Sequence, residues 1–334
     1  MPTSNTSVVV KAHTKGIPGR ESFEIVELPN PELPSGGVIV RMLHASVDPG
    51  MRGWVSFEAN YMTIPVGAVM RAAGVGEVIE SDHPDYASGD LVYGMFGWSE
   101  WFAAKANDIY WTIDPTIAPP PVWLGSLGIN GIAAWIGYRH FGCPKGGETL
   151  MVTTAAGSVG SVVGQLARED GIRAVGIAGG AKNAAIAKSH FGYEQVIDYH
   201  GTADLATALH AACPDGIDIF YDNVAGTQAD AAFPLLNPKG RVIQCGSASI
   251  SNWQPWPTGP RRERDMIIKR LSWHGFVVFD HADLFAEALS DLSKLYAAGK
   301  LSVQQDRLSG LAQAPHSIQS LYSGANNGKL IIDI

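Results

Sequence analysis

The sequence predicts an α/β protein with a β-rich first part and a longer second part built around a parallel sheet. Three observations predict it. Short β-rich runs separated by glycine and proline continue to about Trp123. From about Thr149, apolar strand-like runs alternate with stretches of helical length. A glycine-rich turn joins the first of those runs to the first of those helices.

In the first part, residues 37–41 (GVIVR), 76–80 (GEVIE) and 90–93 (DLVY) read as strands punctuated by Pro29, Pro31, Pro34 and Pro49, the pattern of a compact, irregular β domain. The tract 117–121 (IAPPP) marks a boundary. Beyond it, 149–153 (TLMVT) leads to a helix over 158–170, and 173–178 (RAVGIA) to a helix over 182–191. Strand 196–198 precedes helix 203–212, and 217–221 (IDIFY) precedes a helical stretch over 227–236. Residues 240–245 (GRVIQC) form the next strand, followed by a strand over 274–278 and a helix over 283–298. The tail 329–334 (KLIIDI) is a strand with nothing after it, so its backbone groups need a partner, expected in the first domain.

Composition narrows the function. The 334 residues suffice for about two domains. With 46% apolar and 17% charged residues, the chain can bury a large core. Thirty-two acids against 24 bases give a net charge of −8, no footing for nucleic acid or an anionic membrane. No run approaches the roughly 18 apolar residues of a membrane span, and residues 1–16 lack the features of a signal peptide. Cys143, Cys213 and Cys245 lie far apart and build no disulfide framework, so a cytoplasmic location is expected.

The most informative segment is 155–164, AAGSVGSVVG, after a strand and opening a helix. Gly157 is expected to take the tight turn, Gly160 to let the backbone approach a pyrophosphate, and Gly164 to let the helix pack closely on the sheet. Amides at the helix start would face the diphosphate, aided by the helix dipole. NAD-binding proteins place an acid about 20 residues on, at the ribose 2′-hydroxyl. Here the second strand runs into Gly179-Gly180-Ala181-Lys182-Asn183 with no acid at its tip. Lys182 reads either as the partner of a 2′-phosphate or as a solvated residue at a helix start. The missing acid favours the first and NADP(H).

Other chemistries find no residues. The ten histidines make no HExxH pair, and the cysteines give no zinc set. Neither a GxSxG elbow nor an SxxK pair occurs. Hydride transfer by a bound nicotinamide without a metal remains.

These motifs resemble the zinc-independent medium-chain dehydrogenase/reductases, in particular the NADPH-dependent alkenal and enone double-bond reductases. The likeness runs from about Val38 to Ile332. It includes SVDPGMRG (46–53), GVGEVIESDHPDYASGDLV (74–92), GETLMVTTAAGSVGSVVGQLA (147–167), VGIAGG (175–180), YDNVAG (221–226), CGSASISN (245–252), GFVVFD (275–280) and NNGKLII (326–332). It implies a GroES-like β-rich catalytic domain over 1–122, a Rossmann doubly wound parallel-sheet NADP-binding domain over 123–300, and a return of 301–334 to the catalytic domain, with NADP in the cleft between domains. It also implies a homodimer.

By this resemblance Gly157, Ser158, Val159 and Gly160 form the pyrophosphate turn, Gly180 and Lys182 lie at the 2′-phosphate, and Tyr199 lies near the adenosine. Asn223, Cys245, Gly246, Ser247, Ser249, Ser251, Phe276, Val277, Val278 and Asn326 follow towards the nicotinamide. Asn223 capping a strand-to-helix turn and Tyr199 in the core are the structural alternatives.

Departures from the family pattern matter as much. The family's lysine is shifted by one position to Lys182. Two tyrosines expected to face the nicotinamide and substrate are replaced by Gly50 and Ser251, and Asn130-Gly131 alters the usual PG. Trp253 and Trp256 either refill the opened pocket or pack as loop aromatics. The implied reaction is NADPH-dependent reduction of the C=C bond of an unsaturated aldehyde or ketone. Ser251, Tyr61, a cofactor hydroxyl or a water would be the donor to the carbonyl, with Tyr61 otherwise a packed loop tyrosine. A zinc-independent quinone reductase and a non-catalytic NADPH-binding protein are the alternatives.

Overall fold

The computed structural model describes residues 4–58, 60–250, 255–324 and 326–334. The chain forms two compact units, Met1–Gly128 with Gln305–Ile334, and Ile129–Gln304.

The first unit carries β1 (Asn5–Val10), β2 (Phe23–Leu28), β3 (Gly37–Val47), α1 (Met51–Trp54), β4 (Ala73–Ser81), β5 (Leu91–Met95), β6 (Trp101–Lys105) and β7 (Ile109–Thr112). β3 pairs antiparallel with β4 and, on its other side, with β6. Val38, Val40, Met42, Val78, Val92 and Phe96 form a core on one face. Alternation along β3 and β4 produces that face, because successive side chains of a strand point to opposite sides.

The second unit contains α2 (Ile129–Trp135), β8 (Thr149–Thr153), α3 (Ser158–Glu169), β9 (Arg173–Ala178), α4 (Ala181–His190), β10 (Gln195–Asp198), α5 (Leu205–Ala212) and β11 (Ile217–Asp222). α6 (Gly226–Ala232), β12 (Leu236–Gln244), α7 (Glu263–Lys269), β13 (Ser272–Gly275) and α8 (Phe285–Ala297) follow. Its six strands run parallel in the order β10-β9-β8-β11-β12-β13. Counted within the unit, that is the 3-2-1-4-5-6 order of a Rossmann sheet. All five residues of β8 are buried, as a central strand covered on both faces requires. On one side Met151, Val175, Phe220 and Val242 pack with Leu209 and Phe233.

The chain ends with β14 (Gln305–Ser309), α9 (Ala314–Tyr322) and β15 (Lys329–Asp333). β15 pairs antiparallel with the end of β3, from Leu330 opposite Val47 to Asp333 opposite His44, so the terminal strand finds its partner in the first unit.

Two elements differ from the sequence-based expectation. The helix expected over 227–236 stops at Ala232, and Pro234 lies in the short 3-10 turn that follows, so β12 begins at Leu236. The strand expected over 274–278 lies at Ser272–Gly275 instead. Its ladder with β12 runs out where Gln244 pairs with Gly275. Phe276 instead packs its ring 5.3 Å from that of Phe141, and Val278 opens a 3-10 turn.

Candidate cofactor site

Parallel strands put all their carboxyl ends on one edge of the sheet, and ligands of such folds bind there, where the strand order reverses. The expected cofactor residues of the second unit follow these ends. Gly157–Gly160 come after β8, Gly180 and Lys182 after β9, and Tyr199 after β10. Asn223 follows β11, Cys245 to Ser249 follow β12, and Phe276 to Val278 follow β13. The order reverses between β8 and β11.

At the glycine-rich turn the roles differ from those expected. The left-handed turn residue is Thr154, at φ 56°, whereas Gly157 is extended at φ −79°, ψ 174° and serves as the N-cap of α3. A β-branched residue at positive φ is strained. Gly160 answers to the protein itself: a Cβ there would be driven into the Thr154 carbonyl oxygen, and its own carbonyl accepts from the Tyr193 hydroxyl at 2.6 Å. Gly164 lets α3 rest on the Tyr193 ring and the Phe191 carbonyl.

The first-turn amides of α3 precede the Ser161 N–H bond to the Gly157 carbonyl, and no side chain caps them. Such amides have no partner within their own helix. Among the described residues the Ser158 hydroxyl is buried with no hydrogen-bond partner. A diphosphate fits: it accepts from open amides and from a hydroxyl, at the positive end of the helix.

At the end of β9, Asn183 turns back and donates to the Gly179 carbonyl at 3.0 Å, while Lys182 is exposed on the first turn of α4. Two rings cover Gly179: a Cβ there would lie 3.1 Å from Tyr199 Cε1 and 3.2 Å from His200 Cε1. Tyr199 is 39% exposed, so the alternative of a core tyrosine does not hold. Asp198 accepts from the Gly180 amide at 2.7 Å and the His200 amide at 3.0 Å. Burial alone would raise its carboxyl, but the amides of Gly180, His200 and Gly201 hold it below the ordinary value. Neither Asp198 nor His200 was expected. The signal was their place beside Tyr199 at a strand end.

After β11 a buried network fixes the backbone. Thr153 Oγ1 donates to Asp222 at 2.9 Å and accepts from the Asn223 amide at 2.7 Å. Asp222 also accepts from the amides of Val224 and Ala225 and from Gln244 Nε2. The Asn223 side chain donates to the Thr153 carbonyl at 2.8 Å, so in the protein alone it caps the β8 end. Burial pushes the Cys245 thiol up to about 11, which removes it as a nucleophile near neutral pH. Ser249 donates to the Val224 carbonyl at 2.6 Å, and the Ile250 amide reaches the Ser247 carbonyl at 3.0 Å. Ser251 and Trp253 lie outside the described residues. Trp256 is exposed.

The remaining expected residues belong to the first unit. Gly50 caps α1, and a Cβ on it would stand 3.1 Å from the Tyr61 hydroxyl. Gly53, one turn on, is packed by the Asn60 amide group. The two glycines flatten one face of α1, and residues 60–61 lie on it. Tyr61 meets Trp54 edge-on, with ring centroids 6.3 Å apart, and remains 57% exposed.

The turn carrying Gly50 is clamped from the C-terminal segment. Lys329, 3% exposed, donates to the Val47 carbonyl at 3.0 Å and pairs with Ser46 and Asp48. The Tyr322 hydroxyl reaches the Pro49 carbonyl at 2.9 Å. Asn326 donates to the Gly328 carbonyl at 3.0 Å. Sequence reasoning passed over Lys329, since nothing local marks it as buried.

Among the described residues no group of three or more His, Cys, Asp or Glu side chains could hold a metal ion, so the donors do not fit a zinc site. No helix of the described residues is long and apolar enough to cross a membrane.

A Rossmann sheet with an uncapped glycine-rich turn at its reversal point fits a dinucleotide-binding protein. Comparison with known proteins agrees. A family described as the N-terminal domain of oxidoreductase matches residues 6–111, and one described as zinc-binding dehydrogenase matches residues 158–294. The chain is 36% identical to the NADPH-dependent curcumin reductase of Escherichia coli, covering 99% of this chain and 97% of the relative. It is 35% identical to the NADP(+)-dependent 2-alkenal reductase of Nicotiana tabacum, covering 98% and 97%. The crystal structure of CurA in complex with NADPH from Vibrio vulnificus superposes with a TM-score of 0.91 at 33% identity, covering 98% of each chain. The chain belongs to the medium-chain dehydrogenase/reductase superfamily, and within it to the NADP-dependent oxidoreductases of the alkenal and prostaglandin reductase family.

Proposed function

We propose that this enzyme uses NADPH to reduce the C=C bond of α,β-unsaturated aldehydes and ketones. The cofactor, when bound, supplies a hydride for the β-carbon of the substrate, and solvent supplies the proton for the α-carbon. The chain's own residues do the rest. The open amides of Ser158, Val159 and Gly160 and the Ser158 hydroxyl hold the diphosphate. Asn223 and the 245–249 and 276–278 backbones are assigned to the nicotinamide half, and Asn326 to a late contact. The Tyr61 hydroxyl donates a hydrogen bond to the substrate carbonyl oxygen, where negative charge grows as the β-carbon is reduced. A fixed donor at that place contributes most to rate.

The observation that carries this reading is the Tyr61 hydroxyl beside Gly50. Where relatives are expected to plant a tyrosine, this chain leaves a gap and brings a phenol into it from a neighbouring loop. Purified enzyme should consume NADPH with 3-nonen-2-one and yield the saturated ketone. Alcohol product with the double bond intact, or turnover confined to quinones, would refute this. Tyr61→Phe should lower kcat/KM about 100-fold, the scale of losing one oxyanion donor, with the NADPH Kd unchanged.

We further propose that the protein is a homodimer joined through the cofactor-binding units. β13 is an edge strand of the sheet, and Ile267 and Ile268 on the adjacent α7 are 76% and 55% exposed, with Trp273 at 45%. Light scattering should give twice the 35.5 kDa chain mass, and Ile267→Glu should shift it towards the monomer. A monomeric wild type would refute the assignment.

A further inference from the structure

The proposed function leaves open how this chain recognises the 2′-phosphate of NADPH. The family lysine is absent at position 183, and Asn183 spends its amide on the Gly179 carbonyl. At the start of α4 the Gly180 amide already donates to Asp198. That carboxylate is itself anionic and would repel a phosphate. Side chains at the β9 and β10 ends can supply further donors to the phosphate.

Two stand there. Lys182 is exposed on the first turn of α4. His200 is exposed and lays its ring over Gly179, beside Tyr199, with ring centroids 4.3 Å apart at 63°. Asp198 fixes the backbone on both sides of this place through the Gly180 and His200 amides, so the imidazole and the glycine floor are held together. Gly179 supplies the opening, since a carboxylate in its place would occupy the position that reads a ribose hydroxyl in NAD-binding sheets.

We infer that His200 is a specificity-determining residue of this site, contacting the NADP 2′-phosphate together with Lys182 and replacing the lysine missing at position 183. The inference rests on the proposed function, in which the same edge of the sheet holds the dinucleotide.

Calorimetry on the full-length protein tests it with three probes: NADPH, NADH and 2′,5′-ADP, the last carrying the 2′-phosphate without the nicotinamide. His200→Asn keeps a planar polar group but removes the imidazole ring. It should weaken NADPH and 2′,5′-ADP about tenfold, as loss of a charge-assisted hydrogen bond does, while the NADH Kd stays within about twofold. His200→Lys should restore both phosphate-bearing ligands. Equal weakening of NADPH and NADH in His200→Asn would mean that the ring only props the loop, and overturns the inference. An unchanged NADPH-to-NADH ratio in that variant does so too. Wild type that takes up NADPH and NADH with equal affinity overturns the inference alone. Wild type that takes up neither overturns the dinucleotide assignment and the inference with it.

Discussion

Gly160→Ala is expected to abolish measurable NADPH binding, with a loss of at least about 100-fold in affinity, and to lower the stability of the cofactor-binding unit. An added Cβ would strike the Thr154 carbonyl oxygen, which is backbone and cannot swing away. Relief requires moving either the strained Thr154 turn or the first turn of α3. Both carry the proposed diphosphate site. Forcing atoms into a packed region costs about 1–3 kcal/mol even when side chains can yield, and here the obstacle is main chain. Calorimetry with NADPH reads the affinity, and thermal melting reads the stability. Gly171→Ala is a poor control because Gly171 has φ +67°, so strain would confound it. Gly146→Ala suits better: nothing lies within 4 Å of a Cβ there and no positive φ is required. Native-like NADPH affinity in Gly160→Ala would show that the turn does not hold the diphosphate.

Lys329→Met is expected to be the most damaging single change in the first unit, by about 3 kcal/mol, because it leaves Asp48 without its cation. Burial lowers the Lys329 pKa from its ordinary value, and the attraction of Asp48 does not fully offset that. Two consequences follow. Between the depressed folded pKa and the ordinary 10.5, the unfolded chain binds more protons, so wild-type stability rises with pH across that window. The Met variant should lack that rise. Because desolvation outweighs the pairing, Asp48→Asn combined with Lys329→Met should recover much of the loss, as replacing both members of a buried pair can do. Urea denaturation of the four proteins as a function of pH measures both effects. Additive losses in the double variant would show that the pair is not a coupled unit.

These two expectations differ in how far the sequence could reach them. The glycine-rich turn was legible because its signal is local: a strand, a fixed spacing and a helix start within 16 residues of Thr149–Gly164. Even so, the glycine motif points to Gly157 for the tight turn, while the strain falls on Thr154. A threonine in that conformation is chosen by packing around the turn, which no propensity records. The strand expected over 274–278 failed for a related reason. Its apolar run is real, but a strand also needs a neighbour's backbone, and β12 offers none beyond Gln244.

The candidate site shows the same division. The sequence carried the absence of an acid at the β9 tip, the loss of the tyrosine at Gly50 and the presence of Lys182. It could propose Tyr61 only by position, and it did not see His200.

Local pattern by itself determined the alternation of strands and helices, the place of the dinucleotide turn and the absence of an acid where the ribose would be read. Hydrophobic period and turn chemistry act over a few residues, so the amino-acid order displays them. Only the tertiary structure decided that Tyr61 stands in the gap at Gly50, that His200 covers Gly179, and that Lys329 pairs with Asp48 across 281 positions of chain. Those arrangements depend on where packing brings remote segments, and on which polar groups are buried together there.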